Sequence, residues 1–322
     1  MNHIAILLVN TGSPAEPTPQ AVKTYLSEFL SDPYVVDLPA FLWKPFLNGV
    51  LLHIRPQRSA GKYRQIWNEN GSPLVHISRQ LTIRVEEVIK QHINPAPQVI
   101  LAMRYGCPSI AQVLSDFHRQ GIRKIIVLPL FPQYSKTTSG TILAEVKRQA
   151  GNMQIQPVEP YFAKQVYLDT LTDHLHNFWA QTSIAPKVLF SFHGIPQRMV
   201  HKGDPYEQHC LQTAQSLAAR LNLSREQWGL GFQSRFGHGK WLQPTIQDTL
   251  HTWIQSGVRH VQIFPPGFAV DCLETLYELN IELTQAFQIY EGLKLEIIPA
   301  LNDSQLHAEM VAKILLSEFQ TI

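Results

Sequence analysis

The chain has 322 residues, 44% of them hydrophobic and 16% charged, enough to bury one large core or two domain-sized ones, which excludes disordered and fibrous classes. Lys and Arg total 27 against 25 Asp and Glu, with no long basic run, so nucleic-acid binding has no electrostatic support. Cys107, Cys210 and Cys272 stand far apart, which argues against a disulfide framework or a zinc ribbon and fits a reducing cytoplasm.

The N-terminus lacks a cationic segment and its apolar run, Ile4–Val9, is too short for a signal-peptide core; it predicts a first β-strand. Leu38–Ile54 is the most apolar stretch, but Lys44, Pro45, Asn48 and His53 break it and it falls short of the roughly 20 residues a membrane span needs. It gathers Phe41, Leu42, Trp43, Phe46, Leu47, Val50, Leu51 and Leu52 as either a core helix or an exposed apolar surface.

Further apolar, β-branched runs predict strands at 99–103, 125–130, 188–192, 230–232, 261–264 and 295–298. Helical patterns fall between them at 77–89, 110–120, 141–149, 166–180, 207–221, 242–256 and 273–287. The alternation implies parallel α/β sheets flanked by helices.

The two halves echo one another. Gly12-Ser13-Pro14 matches Gly194-Ile195-Pro196, Arg104-Tyr105-Gly106 matches Arg235-Phe236-Gly237, and Gly121-Ile122-Arg123 with Pro129 matches Gly257-Val258-Arg259 with Pro265. Three echoes in one order suggest duplication into two similar Rossmann-like domains, which generally bind ligands in a cleft at the carboxyl ends of their strands. The first half takes far more chain between its first two echoes, and Leu38–Ile54 falls in that surplus, which favours a functional lip equally with a core helix.

Three strand ends carry chemistry. Ser191-Phe192-His193-Gly194-Ile195-Pro196 puts an imidazole beside a glycine that allows a sharp turn. The ring can accept a proton, ligate a divalent metal or simply bond to loop backbone. In Pro265-Pro266-Gly267-Phe268-Ala269-Val270-Asp271-Cys272-Leu273-Glu274 and the helix after it, Asp271, Glu274, Glu278 and Glu282 fall three, four and four residues apart. That spacing lines one helical face with carboxylates, as a solvated stripe or as a handler of cations and protons. Phe232-Gln233-Ser234-Arg235-Phe236-Gly237 with Trp241-Leu242-Gln243-Pro244 suits a flat ligand bearing carboxylates, whereas Lys202-Gly203-Asp204-Pro205-Tyr206 reads as a turn into a helix.

These motifs, with Leu8-Val9-Asn10-Thr11-Gly12-Ser13-Pro14, Pro129-Leu130-Phe131-Pro132-Gln133-Tyr134-Ser135 and Pro299-Ala300-Leu301-Asn302-Asp303, resemble the ferrochelatase family over nearly the whole chain, closest to its short bacterial members. The resemblance implies a chelatase fold, two Rossmann-like domains holding porphyrin in the cleft between them. It implies a first domain over 1–155 with an apolar lip near 35–60, a second over 156–305 carrying His193 and Glu274, and a C-terminal helix over 306–322 packing back on the first. It further implies that His193 and Glu274 are the catalytic and metal-binding pair on one side of the macrocycle. Asp271, Glu278 and Glu282 would form a proton or metal relay on a helix with a π-type widening. Arg104, Tyr105, Tyr134, Ser135, Trp241, Phe268, Phe41 and Trp43 would contact substrate.

The implied reaction inserts ferrous iron into protoporphyrin IX, the last step of heme synthesis. Such an enzyme must pucker the ring, remove two pyrrole protons and deliver dehydrated iron. His193 is expected to accept the protons and Glu274 to ligate or relay; the competing account makes His193 an iron ligand. Porphyrin and ferrous iron are the expected partners, iron as substrate and not cofactor, with no prosthetic group. Some family members carry histidine where Cys272 stands, so a second imidazole is missing. No cysteine follows Cys272, so no iron-sulfur cluster is expected. A cytoplasmic location is expected, and the lip would allow peripheral membrane contact. The alternatives are a coproporphyrin III ferrochelatase, another tetrapyrrole metal chelatase, or a non-catalytic tetrapyrrole carrier.

Overall fold

The computed structural model describes residues 3–235, 239–288 and 294–319. The chain divides into two compact units near residues 159/160 and 302/303, and Pro132–Tyr134 belongs to the second. The sequence-based boundary at 155 falls inside a strand: β4 (Gln154–Pro157) pairs with β3 (Lys124–Pro129), and the Val158 N–H reaches Val127 O at 2.8 Å.

The first unit is built on β1 (Ile4–Gly12), whose Ala5–Val9 are fully buried. Parallel to it run β2 (Gln98–Tyr105) and β3, giving the order β2-β1-β3-β4. A parallel sheet is covered on both faces. On one face, Val113, Leu114 and Phe117 of the helix Ile110–Arg119 join Ile142 and Val146 against Ala5, Leu7, Val9, Ile125 and Val127. The helices Pro73–Lys90 and Gln305–Phe319 pack against each other, and Arg84 pairs with Asp303 at 3.5 Å.

The apolar stretch folds as the helix Ala40–Phe46, a π-helical turn Leu47–Leu51 and the helix Leu52–Ile66, running on through Pro45 and Pro56. Leu47, Leu51 and Leu52 are buried and Leu52–Ile66 packs on the helix Pro19–Leu30, while Phe41, Leu42, Phe46, Val50 and Ile54 are exposed, Phe41 by 77%. One stretch thus supplies both core and surface.

The second unit repeats the arrangement with β5 (Lys187–His193), β6 (Trp228–Gln233), β7 (His260–Phe264) and β8 (Lys294–Ile297), in the order β6-β5-β7-β8. Its helix Ile246–Gln255 starts later than the predicted 242–256 because Thr245 caps it, forming a capping box with Asp248. Ser109 and Gln112 form the same box in the first unit. Ahead of each box a proline carbonyl accepts a strand N–H, Met103 to Pro108 O at 2.7 Å and Phe232 to Pro244 O at 2.9 Å. Duplication therefore extends beyond the three sequence echoes, but the second echo slips. With Gly12 level with Gly194, the registers set Arg104 level with Gln233 and Tyr105 with Ser234, not with Arg235 and Phe236. Phe236 and Gly237 lie outside the described residues.

A polar network closes the β7–β8 side. Gln262 is fully buried and donates to Glu296 at 2.8 Å, while its oxygen accepts from Trp179 at 2.9 Å and from the Ala185 N–H at 3.1 Å. Burial opposes the charge on Glu296, but Lys294, Gln262 and His260 outweigh it and hold the carboxyl at about 2 in place of the ordinary 4.5. A group depressed on folding stabilises above its unfolded value and loses that contribution as pH falls through its folded value. Glu296→Gln should therefore lower the urea midpoint at neutral pH, and the deficit should shrink from about pH 4.5 down to about pH 2. Urea titrations of both proteins at several pH values check this.

Candidate active site

His193 is the last residue of β5 and is half-buried. The strand turns immediately, because the Gly194 N–H donates to Gln233 O at 2.7 Å. A Cβ on Gly194 would lie 2.9 Å from that oxygen and 3.4 Å from the Trp241 ring, so a larger residue would displace the histidine beside it. Trp241 reaches this place through a bridge to Pro196. The His193 Nδ1 lies 2.6 Å from Gly194 O. A carbonyl only accepts, so Nδ1 carries the proton and Nε2 of the neutral ring keeps its lone pair, free to take a proton or a metal.

Glu274 opens a ten-residue π-helix, Glu274–Leu283, longer than the single-turn π-bulges usual at functional sites. Gln233 ties it to the sheet. That residue is His193's register partner on β6 and is 5% exposed. Its oxygen accepts a short hydrogen bond from Ser191, and its Nε2 donates to the Glu274 carbonyl at 3.1 Å. The next residue, Ser234, donates to the Glu278 carboxylate. Sequence reading cites Gln233 inside a motif without giving it a task, because a buried glutamine is recognisable only from the partners it finds.

Cys272 is buried, and burial, then the charge of Glu274 and a hydrogen bond to it, push its thiol well up. A protonated thiol is a poor metal ligand, which argues against Cys272 as a metal donor. Asp271 differs from its expected place in the acidic row. It is buried ahead of the π-helix, where Oδ1 accepts from Thr275 Oγ1 at 2.7 Å and the Ala300 N–H at 3.3 Å. Its Oδ2 accepts from Asn302 at 2.6 Å, and its own N–H donates back to Asn302 at 2.8 Å. These bonds make Asp271 a side-chain cap on the Thr275 hydroxyl, joined to the loop at Ala300 and Asn302, while no backbone N–H of the π-helix receives a side-chain cap. The row that remains is Glu274, Glu278 and Glu282, the last exposed. Among the described residues, no three His, Cys, Asp or Glu side chains form a metal-holding group.

Of the expected substrate contacts, Tyr134, Trp241 and Phe268 belong to the second unit, while Arg104, Tyr105, Ser135, Phe41 and Trp43 belong to the first. Several are already engaged. Asp32, given no role by sequence reading, is buried and accepts from Arg104, from the Tyr105 hydroxyl at 2.8 Å and from Thr141 at 2.5 Å. Arg104 also donates to Thr141 at 2.7 Å. Burial and then the Asp32 charge push the Tyr105 phenol far up. Ser135 is fully buried and caps the π turn Lys136–Gly140 through the Thr137 N–H at 3.2 Å. The Trp43 indole donates to Leu30 O at 2.7 Å, which pins the lip helix to the end of Pro19–Leu30. Ser135 and Trp43 thus have structural work, whereas Phe41 stands open.

Two parallel sheets of identical strand order, the second with His193 at the end of β5 and Glu274 at the head of the π-helix beyond β7, make up the chelatase fold. Solved chelatases share the fold. The cobalt complex of the sirohydrochlorin chelatase SirB from Bacillus subtilis subspecies spizizenii superposes with a TM-score of 0.55 at 12% identity, covering 98% of this chain and 94% of that one. CbiX, the terminal enzyme of siroheme biosynthesis in denitrifying bacteria, gives 0.52 at 14% identity, covering 97% and 98%. At the sequence level the ferrochelatase family model matches residues 3–318. Ferrochelatase of Xylella fastidiosa is 40% identical over 97% of this chain and 98% of its own, and that of Photobacterium profundum 39% identical over 99% and 98%. The chain belongs to the ferrochelatase family and is an enzyme of heme synthesis with ferrochelatase activity.

The cap assignment has an energetic consequence. Asp271→Ala should cost about 3 kcal/mol by leaving buried donors unpaired, Asn302→Ala about 2 kcal/mol, and the double variant about 1 kcal/mol less than their sum because the two share bonds. A double-mutant cycle by urea unfolding measures it; full additivity would contradict the shared cap.

Proposed function

We propose that this ferrochelatase inserts ferrous iron into protoporphyrin IX in the cytoplasm, with His193 accepting the pyrrole protons and Glu274 receiving the metal or relaying the charge. One observation carries the assignment: His193 spends Nδ1 on Gly194 O, which leaves Nε2 as the reactive nitrogen, while Gln233 ties that strand end to Glu274. Metallation releases two pyrrole protons for each ferrous ion taken up, so the base must be reset within the turnover. Glu278, which accepts from Ser234, and exposed Glu282 extend a route from Glu274 towards water. Asp271 is left out of this relay because its carboxylate is committed elsewhere, and Cys272 is left out of the metal site because its thiol stays protonated.

Porphyrin is taken as the organic substrate, with Trp241, Phe268 and Tyr134 supplying aromatic surface, whereas Arg104 and Tyr105 are committed to Asp32 and are left out of the contacts. The exposed Phe41, Leu42, Phe46, Val50 and Ile54 support an apolar lip that also touches membrane surfaces peripherally. No described helix is long and apolar enough to cross a membrane. Iron is a substrate in this reading, and neither a prosthetic group nor an iron-sulfur cluster is required.

A second reading makes His193 an iron ligand, since a histidine that donates its other nitrogen to a carbonyl is also the usual arrangement at metal sites. Calorimetric titration with ferrous iron in the absence of porphyrin separates the two. His193→Ala retains metal affinity if the residue is the base and loses it if it is the ligand. In either case that variant should lose at least about 100-fold in metallation rate while still quenching porphyrin fluorescence on binding; near-normal turnover would sink the assignment. Anaerobic assays with protoporphyrin and coproporphyrin side by side should favour protoporphyrin, and iron-dependent loss of free-base fluorescence distinguishes an enzyme from a carrier.

A further inference from the structure

The segment Pro132–Tyr134 is held at three successive residues by elements of the second unit. The Phe162 N–H donates to Pro132 O at 3.1 Å. Gln133, 2% exposed, donates its amide to Thr213 Oγ1 at 3.0 Å and to the Tyr167 hydroxyl at 3.3 Å, and Tyr167 donates onward to Pro266 O at 2.7 Å. The Tyr134 N–H donates to His209 Nδ1 at 3.2 Å. His209 and Thr213 lie one turn apart on the helix Tyr206–Arg220, so one helix face supplies two of the anchors. The His209 ring lies flat on Phe162, with centroids 3.7 Å apart and planes at 14°, which fixes its orientation.

A backbone N–H can only donate, so Nδ1 of His209 must present a lone pair. The other two anchors use groups that carry the same protons at any physiological pH. His209 alone among the three has a proton to gain at the bonding atom.

We propose that His209 is a positioning residue for Tyr134, acting as a proton-free acceptor whose protonation releases the Tyr134 backbone and weakens porphyrin binding. The link to binding rests on the reading that Tyr134 faces the substrate. Partial burial lowers the ring's proton affinity from its ordinary value of 6.5, and Asp204, on the turn before its helix, opposes that shift. The other elements packed on the ring bring the Tyr134 peptide N–H and the apolar Phe162 ring; Glu207 and Cys210 are its neighbours on its own helix. The acceptor form therefore prevails at neutral pH and is lost as pH falls through a value below 6.5.

His209→Asn keeps an acceptor oxygen near the place of Nδ1 without titrating, and His209→Leu removes the acceptor. The Michaelis constant for porphyrin should rise about fivefold in the parent enzyme across the acid limb, stay flat in the Asn variant and be raised about fivefold at all pH values in the Leu variant, with kcat of each variant within about twofold of the parent's at the same pH. Superimposable pH profiles for the parent and the Asn variant overturn the proposal, and this comparison stands even if the Leu variant fails to fold. The Tyr134 amide resonance, read in full-length protein labelled with 15N-tyrosine, should move with pH in the parent and not in the Asn variant. If that resonance behaves so while the Michaelis constant is flat in both proteins, the anchor is real but the placing of Tyr134 against porphyrin fails, and the claim about binding falls with it.

Discussion

Gln233 sets the geometry on which the rest of the site depends. Its backbone is in register with His193, its carbonyl receives the turn at Gly194, and its side chain joins Ser191 on one strand to the Glu274 carbonyl at the head of the π-helix. A neutral amide suits this position because it donates and accepts at once without bringing charge into a buried strand end. A carboxylate there would repel the Glu274 carbonyl, and an aliphatic side chain would remove the bond that ties the helix to the strand. Metallation needs a base and a metal donor at a separation that survives the strain of holding a puckered ring, and a strand-to-helix hydrogen bond imposes that more firmly than a flexible loop does.

The duplicated architecture places a comparable link in the first unit. Arg104 occupies in the first unit the position that Gln233 occupies in the second. Each reaches a helix after the third strand of its sheet, Arg104 to Thr141 at the head of the helix Thr141–Gln149 and Gln233 to Glu274 at the head of the π-helix. In the first unit the guanidinium is answered by buried Asp32, which also takes the Tyr105 and Thr141 hydroxyls, so that end is a closed ion-pair network. In the second unit the same lattice position holds a neutral residue, and the charged groups nearby remain Glu274 and Glu278. One fold thus carries a braced copy and a chemically equipped copy, and the difference lies in a few side chains at equivalent strand ends.

Of the eight strands among the described residues, seven were legible as short apolar runs ending in loop residues, most of them buried and rich in β-branched side chains. The eighth, β4, reads Gln-Ile-Gln-Pro, too short and too polar for that signal, and it exists because β3 offers it a free edge. Leu38–Ile54 was legible as a core helix or an exposed apolar surface, and it is both: the helices run on through Pro45 and Pro56, with one face buried and the other open. His193 and Glu274 stood out because their motifs are long. The role of Asp271 did not: its spacing of three from Glu274 mimics an α-helical face, but the helix begins after it and Asn302, thirty-one residues downstream, claims its carboxylate. Spacing rules see only local chain, and Asp32, Gln233 and Asp271 all take their roles from partners distant in sequence.

The π-helix completes the reasoning. Its i→i+5 bonding widens the helix relative to the α form at a cost in packing and hydrogen-bond geometry, so it persists only where its surroundings over-determine it. Three restraints act at or near its start: Gln233 on the Glu274 carbonyl, Ser234 on Glu278, and the Asp271–Asn302 cap just ahead of it. Leu279 and Leu283, with Phe287 beyond, sink into the core with Ile246, Leu250, Val261 and Ile263. With one face fixed by the core and the head fixed by the sheet, the acidic side chains on the remaining face have little freedom to collapse onto one another. The strain of the wide helix and the mutual repulsion of its carboxylates are therefore held by the same few hydrogen bonds, and these converge on the strand end that carries His193.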